Sequence, residues 1–63
     1  MTAEEKYRVV AIAAYNVVWL QSKLPEPSRR TAAFMHAWDA AKESGASAQA
    51  ATQAADFARD EAR

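Results

Sequence analysis

His36, Asp39 and Glu43 are the residues best equipped for metal or acid–base chemistry, since spacings of three and four put all of them on one helix face. As a metal site they offer one nitrogen and two oxygens from a single helix. A structural zinc site takes four ligands, usually rich in Cys and His; the chain has no cysteine and no other histidine. A solvated helix face accounts for the three side chains, and neither metal nor cofactor is expected. The absence of cysteine also excludes disulfides and thiolate sites.

Nucleophilic catalysis needs an activated hydroxyl with a base to orient it. Ser22, Ser28, Ser44 and Ser47 all fall at expected helix ends, where capping explains them. The single glycine rules out a glycine-rich phosphate loop. Asp60 and Glu61 pair two carboxylates, but in a terminal turn among Arg59 and Arg63. No nucleophile–base or acid–base pair can be assembled. A non-catalytic protein without a small-molecule substrate is expected.

One motif points elsewhere. Ala41, Gly45, Ala46 and Ser47 set a small residue four before a glycine, then a turn, then a new helix, which resembles the core of a helix-turn-helix unit. That resemblance implies a second helix in the major groove, with Ser47, Ala48, Gln49, Thr52 and Gln53 near the bases. Gln49 and Gln53 have the amides that read adenine. Against it, Ala46 to Arg63 carries two basic and three acidic residues, a net of −1, which leaves little to neutralise phosphates. The whole chain balances eight basic against eight acidic residues with no basic stripe. Nucleic acid is the lesser expectation, as an alternative reading in which the chain is a transcriptional regulator.

The elements that must position any site are organised around Val9 to Leu20, an uncharged run whose one amide is Asn16. Thr2 and Glu5 form a capping box before it, Glu4 and Glu5 suit the positive helix end, and Pro25 biases Leu24 out of helical geometry. A first helix is expected over about 2–23. Its rows Tyr7–Ala11–Ala14–Val18, Arg8–Ile12–Tyr15–Trp19, Val10–Ala14–Val17–Leu24 and Val9–Ala13–Asn16–Leu20 make the middle apolar nearly all round. Such a helix is buried on several sides. Too short for a membrane span and without a signal-peptide layout, the run implies a soluble, cytoplasmic protein.

Pro25-Glu26-Pro27-Ser28 is a rigid connector, with Pro27 as first helical residue or Ser28 as N-cap. A second helix over 28–44 carries Phe34, Ala37, Trp38 and Ala41 inward with Met35 beside them, and Arg29, His36, Asp39 and Glu43 outward. Gly45 supplies a left-handed C-cap and Ser47 the next N-cap. A third helix over 47–62 carries Ala50, Ala51, Ala54, Ala55, Ala58 and Ala62, with Phe57 as its one large apolar side chain. The fold expected is all-α, one domain over 1–63: a three-helix bundle with a long apolar first helix, completed by dimerisation or a partner.

Size supports that completion. So short a chain buries only about 60% of its unfolded surface and is marginal alone, and oligomerisation is the device left when disulfides and metals are absent. Trp38 and Phe34 are assigned to the core and Trp19 or Tyr15 to an interface. Asn16 faces a wet gap, its symmetry mate in a homodimer or the backbone of another protein. Arg29 and Arg30, the one adjacent basic pair, sit at the positive end of a helix, where a solvated turn or an acidic patch on a partner explains them. Tyr15, Asn16, Trp19, Arg29 and Arg30 are therefore the candidate partner-binding residues. In size and character the chain resembles the phage- and plasmid-encoded proteins that block a larger host machine, anti-CRISPR proteins among them. The resemblance implies a small accessory regulator or inhibitor that works by binding protein.

Overall fold

The computed structural model describes residues 2–61 and contains three helices: α1 (Ala3–Gln21), α2 (Ser28–Glu43) and α3 (Ala48–Glu61). Each helix packs against both others. The principal extents are 34 × 18 × 16 Å, so the long dimension is set by α1, about 28 Å at a rise of about 1.5 Å per residue. The expected end of α3 at residue 62, with Ala62 and Arg63, lies outside the described residues.

The caps are local and follow from residue type. The Thr2 side chain accepts from the Glu5 amide at 3.2 Å and opens α1. At the other end the chain turns extended at Ser22, whose hydroxyl accepts from the Leu24 amide at 3.1 Å. Between α2 and α3, Gly45 has φ +107°. There the Ala46 amide donates to the Ala41 carbonyl and the Gly45 amide to the Lys42 carbonyl, the paired bonds of a Schellman ending. Ala41 and Ala46, the residues this motif brings together, are both buried. Ser47 then caps α3, accepting from the Ala50 amide at 3.1 Å. The start of α2 differs slightly from expectation: Ser28 is already helical and Pro27 takes the cap position without a side-chain bond.

The core is an alanine seam. Ala11 from α1, Ala33, Ala37 and Ala41 from α2, and Ala51, Ala54, Ala55 and Ala58 from α3 are all buried. Methyl side chains let three helix backbones come close together, leaving room for few rings. Tyr15 is the largest fully buried side chain among the described residues, 1% exposed. Phe34 and Trp38, expected in the core, lie half-buried on its rim; of Trp19 and Tyr15, one or other expected at an interface, Trp19 is half-buried and Tyr15 is fully buried. The reversal is one of space: Tyr15 follows Ala11 by four residues on the inner face of α1, whereas Phe34 and Trp38 each flank an alanine that already occupies the seam.

The rim aromatics also carry cations against their rings. Arg8 lies 4.8 Å from the Phe57 ring centre, Arg59 5.3 Å from Phe34, and Lys42 5.8 Å from Trp38. Each such contact is worth about 0.5–1 kcal/mol at an exposed site. The Trp38 indole N–H also donates to the Thr52 hydroxyl at 3.1 Å, which in turn donates to the Ala48 carbonyl. That chain of bonds ties α2 to α3 at the surface.

Candidate protein-contact face

Four of the five candidate residues meet between α1 and α2. Tyr15 and Trp19 stack with ring centres 6.1 Å apart. Arg29 reaches back from the first turn of α2, donates from Nε to the Trp19 carbonyl at 2.8 Å, and donates to the same oxygen from a terminal nitrogen. Its guanidinium also lies 4.0 Å from the Trp19 ring centre. The last carbonyls of a helix have no partner within it and carry the negative end of its dipole. The last turn of α1 contains no basic residue, so Arg29 supplies from α2 the cation that α1 lacks. It is a structural clamp in a part-buried position.

Arg30 stands further out. It pairs with Glu26 at 2.6 Å and lies 5.6 Å from the Trp19 ring centre, with nearly half of its side chain exposed. The bond to the Glu26 carboxylate raises the Arg30 pKa further above its ordinary value. Burial pushes the Tyr15 phenol above its usual pKa, while Arg30 and Arg59 pull it the other way. Tyr15, Trp19, Arg29 and Arg30 thus act as an internal lock between α1 and α2.

Asn16 stands apart, exposed on the opposite face of α1. At 100° per residue, Val9, Ala13, Asn16 and Leu20 form one stripe, with Val17 beside it. All five are exposed, and Leu20 is 78% exposed. Leu24, just past the helix end, is also half exposed. The stripe faces away from Ala11 and Tyr15, hence from both α2 and α3. Sequence reasoning named this row without choosing it among the four. The one signal available was Asn16 itself, since an amide is tolerated most cheaply on the row that meets water.

Other candidate chemistry stays dispersed. Among the described residues no three of His, Asp and Glu come together as a metal site. Gln49 and Gln53 are exposed on α3, but the Thr52 hydroxyl between them is taken up by Trp38 and Ala48. A shallow groove of about 260 Å³ beside Trp38, Met35 and Thr52 is open to solvent. No described helix is long and apolar enough to cross a membrane. No protein family, curated protein or solved structure matches the chain.

Proposed function

We propose that the chain is a small non-catalytic protein-binding module, acting through a homodimer or directly, that works in the cytoplasm as an accessory regulator or inhibitor of a larger protein machine. The observation that carries this reading is the open stripe of α1. It holds Val9, Val17 and Leu20, each about half exposed or more, on a helix whose other side packs against α2 and α3. A contiguous apolar patch on a small protein marks an interaction site more often than chance does. An amphipathic helix presenting side chains at i, i+4, i+7 and i+11 is a common way of entering a partner's groove. Burying one such side chain fully contributes about 1.5–3 kcal/mol, so Leu20 is the expected anchor. Asn16, in mid-stripe, would give direction to the contact through its amide.

The test is a photo-crosslinking residue placed at Leu20 in the source cell, with the same residue at Asp39 as the control on the exposed side of α2. Position 20 should join the chain to one protein species at high yield, and Leu20→Asp on an otherwise unlabelled competitor should fail to compete. Equal labelling from both positions would refute the assignment of the face. Retention on generic duplex DNA, with affinity falling steeply as salt rises, would move the function to Gln49 and Gln53 on α3.

A further inference from the structure

We propose that the occupant of the α1 face is a second copy of this chain, laid antiparallel so that α1 packs on α1; the inference rests on the reading of that stripe as the contact face. The stripe is complementary to itself when reversed. A two-fold axis crossing it level with the Ala14–Tyr15 peptide sets Val9 opposite the partner's Leu20 and Ala13 opposite the partner's Asn16. Each pairing joins a smaller with a larger side chain, so the two helices can close without a gap at the centre. From a rise of about 1.5 Å per residue, Asn16 and the partner's Asn16 then lie about 4.5 Å apart along the helix direction, within reach of amide-to-amide hydrogen bonds across the axis.

The charges at the two ends agree with the same register. The N-terminal end of the stripe carries Glu5, whose carboxylate is in no ion pair among the described residues. Its neighbour Glu4 is occupied by Arg8. The C-terminal end carries the exposed Lys23, equally without an ion pair there. Antiparallel pairing brings Glu5 to the end of the contact that carries the partner's Lys23, two residues past the end of α1, twice over by symmetry. Lys6 sits 100° round the helix from Glu5, on the other flank. A parallel pair would instead leave Lys23 facing its own copy. The opposed α1 dipoles favour the antiparallel arrangement as well. Because α2 and α3 both lie behind α1, the two bundles end up on opposite sides of the contact and do not collide.

The experiment is sedimentation equilibrium of the full chain from micromolar to millimolar concentration, at low salt. The wild-type chain should populate a dimer, and Leu20→Asp should remove it with circular dichroism unchanged. Glu5→Lys and Lys23→Glu should each weaken self-association about 10-fold, because two weak surface attractions become repulsions. Mixed together, those two single variants should associate with each other as tightly as wild type, since one ion pair keeps its native sense and the other is restored in reversed sense. That rescue is indifferent to any small loss of helix stability in the Glu5 variant. A dimer that ignores Leu20→Asp or shows no rescue in the mixture overturns the register. A chain that stays monomeric while position 20 still captures a foreign protein overturns the second copy and leaves the contact face standing. A monomer with no capture overturns both.

Discussion

Replacing Tyr15 by alanine should come close to unfolding the protein. An aromatic side chain buries about 150–250 Å², and at about 25 cal/mol per Å² the apolar area alone amounts to about 4–6 kcal/mol. A compact unfolded chain already hides part of that area, which brings the figure into the range of about 3–5 kcal/mol found for large aromatics cut to alanine. A domain of this size has a total stability of about 3–9 kcal/mol. The alanines around Tyr15 have no rotamers to change, so only its stacked neighbour Trp19 could shift toward the cavity. Urea and thermal denaturation followed by circular dichroism should therefore show Tyr15→Ala largely unfolded, or melting more than about 12 °C lower, at about 4–8 °C per kcal/mol. Tyr15→Phe retains the ring and should cost under about 1.5 kcal/mol. Trp38→Ala, at a half-buried rim position, should cost about half as much as Tyr15→Ala. If Trp38→Ala proved the more damaging of the two, the identification of Tyr15 as the centre of the core would be wrong.

Arg29→Ala should destabilise by about 1.5–3 kcal/mol, the scale for losing hydrogen bonds from a charged donor, because it frees the Trp19 carbonyl and uncovers the Trp19 ring. Arg29→Lys should recover only part, since an ammonium cannot both stack and reach the carbonyl with two donors; Arg30→Ala, which breaks an exposed ion pair, should cost under about 1 kcal/mol. Equal losses at 29 and 30 in a thermal melt would contradict the clamp. The alkaline limb of stability tests the burial of Tyr15 separately. Its phenol keeps its proton to higher pH in the folded chain than in the unfolded one, so that contribution is complete below pH of about 10 and declines above it, as the unfolded chain ionises first. Urea midpoints measured between pH 8 and 11 should fall less steeply for Tyr15→Phe than for wild type, and parallel slopes would count against it.

The helices were legible in the sequence because their ends are set by local chemistry. Thr2, Gly45 and Ser47 do what their residue types allow, and Pro25 lies four residues past the observed end of α1. None of that depends on what the helices pack against. The core was less legible because its content is decided by the distance between helices. A sequence reader weights Phe34 and Trp38 above Ala33 and Ala37 for the area they can bury. Once the alanines of three helices have met, that area is available only at the rim, where Arg59 and Lys42 cover the rings. Arg29 was illegible for the same reason, as its partner is a backbone carbonyl ten residues earlier that only the finished fold brings near.

The open stripe of α1 is legible at an intermediate level. The pattern of α1 has four apolar rows, and two packed helices can cover only about half of a cylinder. One row had to remain open, but periodicity alone gives every row the same claim. What breaks the tie is the uneven cost of polar atoms. Asn16 pays nothing on the row that meets water and would need two or three partners on the row that meets alanines, which have none to give. The same reasoning places Tyr15 inward despite its hydroxyl, because the phenol is long enough that its oxygen is not left as a buried orphan. An amide on a short stem has no such reach. The exposed position of Asn16 and the buried position of Tyr15 are thus two consequences of side-chain length on one helix, and together they turn Leu20 and Val9 outward.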